Sequence, residues 1–123
     1  MYNKETFIKM KEAEKKRAKL LGLIEKAWKD IYTNKDLIAR ARLTIKRTKL
    51  EGKRDRAKKI IVRSVRSIKN AQKRLPKYKA QYIELGAVVW SYYNPNMPYE
   101  PERHSGYAFQ DLDYYLSIDP EVL

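Results

Sequence analysis

Residues 57–75 read AKKIIVRSVRSIKNAQKRL. With Ile61 at zero and about 100° per residue, Ala57, Ile61, Val65, Ile68 and Leu75 fall within about 40° of zero. Lys59, Arg63, Arg66, Lys69 and Lys73 fall between roughly 80° and 200° on the same count. One side is apolar and the other cationic, which is the signature of an amphipathic helix with its apolar stripe on a core. The spacing predicts this helix over about 53–75, with Pro76 ending it or opening the next one.

Upstream, Glu51-Gly52 is the natural stop of a preceding helix, since glycine takes a left-handed C-terminal conformation at little cost. That helix is predicted over about 35–50, with Ile38, Ala41, Ile45 and Thr48 on one face and Leu43 and Leu50 on another. Thr33 or Asn34 would cap it, and Asp36 would sit in its first turn. Residues 4–32 are predicted to form one long helix. Met10, Ala13, Leu20, Ile24, Ala27 and Ile31 mark a narrow seam in which Arg17 takes one step, and Leu21 and Trp28 widen it.

Downstream, Tyr78, Tyr82, Leu85 and Val89 fit a helical stripe to about residue 92, although Val88–Tyr93 has the composition of a strand. Pro95, Pro98 and Pro101 argue for irregular chain over 94–106. Phe109, Leu112, Tyr115 and Leu116 mark a short C-terminal helix ended by Asp119-Pro120. The expected fold is all-α. A small bundle of three to four helices (a long N-terminal helix and two basic ones) fills residues 1–93. A Pro-rich loop and short helix, 94–123, form an irregular, aromatic and acidic tail on the bundle.

Composition narrows the function. The chain has 123 residues, the size of one domain, with a net charge of +13. It has no cysteine, which excludes disulfides, thiolate metal sites and a cysteine nucleophile. No apolar run is long enough to span a bilayer, and Met1-Tyr2-Asn3-Lys4-Glu5 has no secretory character, so a cytoplasmic protein is expected. His104 is the single histidine and lies in the Pro-rich stretch. A zinc site is therefore not expected, and no Gly-rich phosphate loop or nucleophile elbow is present. Asp111 and Asp113 are a weak cation-site signal, better read as helix-start acids. No enzyme, cofactor or metal is expected.

The charge distribution says more than its size. Residues 37–75 carry fifteen Lys/Arg against two Asp/Glu, while residues 76–123 carry three against seven. An ordinary charge run is a solvated face. An excess of this size has no local neutraliser, so it points to an external anion. Arginine forks bind phosphate bidentately, and neutralised phosphates release counterions. Arg40, Arg47, Arg54, Lys59, Arg63, Arg66, Lys69 and Lys73 are the candidate phosphate contacts. RNA and DNA stay equally open, because backbone contacts position a protein without reading sequence. A helix-turn-helix is not favoured, because the helices are too long and the arginines too spread. A membrane surface is disfavoured, since the cations are flanked by small aliphatics rather than Trp or Phe.

The aromatic cluster of the C-terminal third lies among negative charge, which suits core packing or a protein interface better than base stacking. Trp90, Tyr92, Tyr93, Tyr99 and Tyr107 are its candidate interface residues. Two further readings follow. One is a protein-interaction module or inhibitor, such as a mobile-element anti-defence or anti-CRISPR protein that binds a host nucleoprotein. The other is a structural component of a ribonucleoprotein or virion. The acids Asp111, Asp113, Asp119 and Glu121 also offer an internal anion that folds back on the basic helices.

Overall fold

A computed structural model describes residues 3–104, 109 and 111–123. The protein is all-α. Two long helices, α1 (Lys4–Arg47) and α2 (Glu51–Tyr93), are followed by α3 (Pro101–His104), α4 (Leu112–Ser117) and a 3-10 turn at Pro120–Val122.

The helical character of every predicted segment is present, but two of the predicted interruptions are not. α1 runs straight through Thr33-Asn34. Asn34 does not cap; its amide donates to the carbonyl of Asp30, four residues back, at 2.6 Å. Asp36 is accordingly mid-helix, paired with Arg40 at 2.9 Å. The apolar stripe explains the continuity. Ala27, Ile31, Ile38 and Ala41 are all buried on one face, so breaking the helix would forfeit that register. α2 likewise runs through Pro76, whose ring leaves the Gln72 carbonyl without its usual helical donor. Burial of Ala71 and Leu75 on the adjoining turn offsets that cost.

The connection between α1 and α2 is Thr48-Lys49-Leu50, earlier than the expected stop, and Gly52 lies in the first turn of α2. Thr48 Oγ1 accepts from the Leu50 amide at 3.2 Å and the Leu50 carbonyl accepts from Arg54 at 3.1 Å, which starts the second helix. The stretch expected to be irregular, 94–106, contains the single turn α3, with Pro101 at its first position.

The chain forms two compact units, each drawing on both long helices. Unit 1 comprises Met1–Glu25 and Leu75–Asp111. Its start is fixed by Asn3, whose Oδ1 accepts from the Glu5 and Thr6 amides. Met10, Ala13, Leu20, Ile24 and Leu75 are buried in it. Arg17, the odd residue of the apolar seam, places its guanidinium 4.0 Å from the Tyr82 ring centroid, a cation–π contact for a charge inside a stripe, while its Nε is buried without a hydrogen-bond partner among the described residues. Trp90 stacks on His104 at 3.9 Å and donates its indole N–H to the Met97 carbonyl at 3.0 Å. His104 Nδ1 accepts from the Glu100 amide at 3.1 Å, so the lone histidine serves packing and loop geometry.

Gly86 packs tightly against the ends of two side chains. A Cβ there would lie 2.6 Å from the Tyr99 hydroxyl and 2.8 Å from Arg17 Nη2, whereas a Cβ at Gly22 would meet nothing within 4 Å. Gly22→Ala is expected to raise stability by about 1 kcal/mol through helix propensity. Gly86→Leu is expected to cost about 1–3 kcal/mol through overpacking. Urea melts of the two variants check the opposite signs.

Burial raises the Tyr99 phenol above its ordinary value, the Arg17 charge pulls it back, and Tyr82 adds to the rise. The unfolded phenol ionises near pH 10 and the folded one higher, so this contribution is intact below about pH 10 and is lost as pH rises further. The hydroxyl is buried without a hydrogen-bond partner among the described residues. Tyr99→Phe is therefore expected to keep or raise stability at neutral pH, by up to about 1 kcal/mol, and to flatten its decline above about pH 10. Denaturant melts across that range test it.

Unit 2 comprises Lys26–Arg74 and Leu112–Leu123. The α1–α2 hairpin buries Ala27, Ile31, Ile38, Ala41, Ala57, Ser64, Ile68 and Ala71, a core rich in small residues that lets two helices approach closely. The C-terminal segment covers one flank. Gln72 donates to the carbonyls of Tyr115 and Ile118, both at 2.9 Å. The Tyr115 ring meets Trp28 at 4.8 Å and Tyr32 at 5.3 Å, with the two tyrosine hydroxyls hydrogen-bonded. Asp119 caps the final turn by accepting from the Glu121 amide at 3.0 Å.

Candidate nucleic-acid interface

Unit 2 carries eighteen Lys/Arg against seven Asp/Glu, a net +11, whereas unit 1 carries ten against eight, a net +2. The charge is thus confined to one compact body. Arg40, Arg47, Arg54, Lys59, Arg63, Arg66, Lys69 and Lys73 are all exposed. They do not form one patch.

Lys59, Arg63, Arg66, Lys69 and Lys73 share one flank of α2, opposite the buried Ala57, Ile68 and Leu75. At about 1.5 Å per residue they make a ridge roughly 21 Å long. Lys58, Lys59, Val62 and Arg63 surround an open hollow of about 340 Å³ near its start, and Val62 is 59% exposed between the cations. Arg47 ends α1 and Arg54 lies in the first turn of α2, on either side of the hairpin connection. Arg40 stands on the opposite flank of the hairpin, where it lines a second hollow with Lys53 and Arg56.

Partners decide which cations are available. Lys69 is paired with Glu121 at 2.8 Å and Arg40 with Asp36 at 2.9 Å. The other six candidates have no ion pair among the described residues. The acidic tail therefore reaches the ridge at one point, and the Glu121 carbonyl also accepts from Arg42 at 3.2 Å. Exposed pairs of this kind contribute about 0–1 kcal/mol, so an external phosphate can displace them.

The aromatic candidates lie in unit 1. Trp90 and Tyr99 are half-buried around His104, with Trp90 and Tyr99 ring centroids 6.3 Å apart. Tyr92 sits 6.0 Å from Phe7, and Tyr93 is exposed with its hydroxyl donating to Glu14 at 3.4 Å. Tyr107 lies outside the described residues. Arg42 and Arg56 are among the arginines of residues 37–75 that could bind phosphate but were not among the eight singled out, and neither was Lys53. Lys53 and Arg56 line the second hollow, and Arg42 meets the Glu121 carbonyl, a contact that leaves no local trace in the sequence.

Among the described residues, no group of three His, Asp or Glu side chains is placed to hold a metal ion, and no helix is long and apolar enough to cross a membrane. Compared with family models, curated proteins and solved structures, the chain finds no match.

Proposed function

We propose that this chain is a noncatalytic nucleic-acid-binding protein that grips the phosphate backbone along the cationic ridge of α2. The observation that carries the reading is the ridge itself. Five exposed cations share one flank of a helix whose other side is buried, and only Lys69 has an ion-pair partner among the described residues. A solvated face built for solubility mixes both signs; this flank has no carboxylate of its own between Lys59 and Lys73. Arg63 and Arg66 provide forks for bidentate phosphate contact, and the remaining cations act as point charges. Recognition is of charge and shape, so structured RNA and duplex DNA are both substrates of the proposal. The cysteine-free composition suits a reducing compartment, and we assign the chain to the cytoplasm.

Fluorescence anisotropy with a generic DNA duplex and a structured RNA, over a salt series, tests this. Five ridge contacts predict a log–log salt slope of about −4.5 on duplex DNA. Absence of binding to either probe at low salt would sink the proposal.

A further inference from the structure

The hairpin of unit 2 has two flanks, and among the described residues of that unit only one is covered. Residues 112–123 lie on the flank that carries Trp28, Arg42, Lys69 and Gln72. On the other flank, Leu37 and Ala41 of α1 and Ala57 and Ile60 of α2 line an open groove of about 440 Å³. Leu37 and Ile60 are each 37% exposed, although they lie beside the core positions Ala41 and Ala57. Thr44 also lines the groove, but its hydroxyl donates to the Arg40 carbonyl at 3.1 Å and is spent on the helix backbone.

The α2 border of this groove is cationic, with Lys53 and Arg56, whereas on the α1 border Arg40 is paired with Asp36 at 2.9 Å. Lys53 and Arg56 have no ion pair among the described residues, and no carboxylate lines the groove. The matching occupant is apolar along its middle and negative along the edge that meets α2. The furrow between two antiparallel helices is the slot that a third helix fills in a bundle. We propose that this groove docks an amphipathic helix of a partner protein, with aliphatic residues at i, i+4 and i+7 facing inward and Asp or Glu on the border that faces Lys53 and Arg56. A second copy of this chain is the poorer occupant, because it would set cationic rims against each other in units of net +11.

The groove meets the ridge along one edge only. Counted from Ile61 at about 100° per residue, Ala57, Lys53, Ile60 and Arg56 lie between about −40° and −140° on α2, so Arg56 comes within about 20° of Arg63, while Arg66, Lys69 and Lys73 lie about 80° to 140° from Arg56. Substitutions at Arg66 and Lys73 therefore separate nucleic-acid binding from peptide binding.

The probe is a fluorescein-labelled peptide of about eighteen residues, about five helical turns. It carries Leu at i, i+4, i+7 and i+11 with Glu along one flank; its control is a scrambled peptide of the same composition. The full chain is expected to bind the amphipathic probe saturably and at least about tenfold more tightly than the scrambled one. Leu37→Asp with Ile60→Asp should lower that affinity at least about tenfold, and so should Lys53→Glu with Arg56→Glu, which alters only exposed charges. Arg66→Glu with Lys73→Glu, on the side of α2 turned away from the groove, should leave it within about twofold. Three results overturn the proposal: no saturable binding, equal binding of the scrambled peptide, or loss of binding in the ridge variant instead of the groove variants. A dimer of the full chain in sedimentation that Leu37→Asp with Ile60→Asp dissolves would also overturn it, by giving the groove to a second copy.

Discussion

Arg63→Glu combined with Arg66→Glu is expected to weaken duplex DNA and structured RNA binding by at least about a hundredfold at moderate salt. Both side chains are exposed at the middle of the ridge and neither has an ion pair among the described residues. Each loses a charge-assisted contact of roughly 1.5 kcal/mol, and about 3 kcal/mol corresponds to somewhat more than a hundredfold. The introduced carboxylates then repel the neighbouring phosphates. The salt slope on duplex DNA should also fall, from about −4.5 to about −2.7, because two of five counterion-releasing contacts are gone. Stability should change by less than about 0.5 kcal/mol, since the substitutions lie on a solvated face. The control is Lys15→Glu with Lys16→Glu on the exposed part of α1 in unit 1, which makes the same change in net charge. That variant should lose less than about fivefold, because its charges act only through a screened field. Equal losses would mean that net charge, not the ridge, carries binding.

Much of this arrangement was legible in residues 57–75. The stripe of Ala57, Ile68 and Leu75 is buried, and the cations that alternate with it are exposed. The boundaries were less legible, because local signals compete with tertiary ones. Asn34 has the chemistry of a cap, yet its amide is equally able to bond the Asp30 carbonyl inside a helix, and burial of Ile31 and Ile38 on either side decides between them. Pro76 is a helix breaker by propensity, but buried Ala71 and Leu75 hold the helix on both sides of the position where Gln72 lacks its donor. The covered flank was the least legible feature. Glu121 meets Lys69 across 52 residues of sequence, and Gln72 meets Ile118 across 46. No periodicity encodes such contacts; only the opposite charge of the two segments hinted at them. The groove was hidden for a related reason. Leu37 and Ile60 fall beside the main stripes, where a single exposed aliphatic attracts no notice, and only the hairpin brings them to one furrow.

Neighbouring residues on α1 separate the buried stripe from the open groove energetically. Ile38→Ala is expected to destabilise the protein by about 2–5 kcal/mol, and Leu37→Ala by less than about 1 kcal/mol. Ile38 is fully buried, at 0% exposure, in the small-residue core of unit 2, so truncation removes apolar contacts and leaves a void that helices already in close approach cannot collapse into. Leu37 has 37% of its surface in water, so its truncation opens no cavity and the loss is limited to partial burial. For a chain of this size the larger loss is a substantial share of a total stability near 5–15 kcal/mol. Because the ridge is the outer flank of a helix whose inner flank packs on that core, Ile38→Ala should also lower the apparent affinity for duplex DNA near the melting temperature while leaving its salt slope unchanged at low temperature. Leu37→Ala should leave both unchanged and weaken only the peptide probe of the groove. Urea melts and salt-dependent anisotropy on the two variants give four readouts. A large loss of stability in Leu37→Ala, with little in Ile38→Ala, would mean that the helix is rotated so that the groove face is the true core, and would remove the open furrow together with the proposed guest.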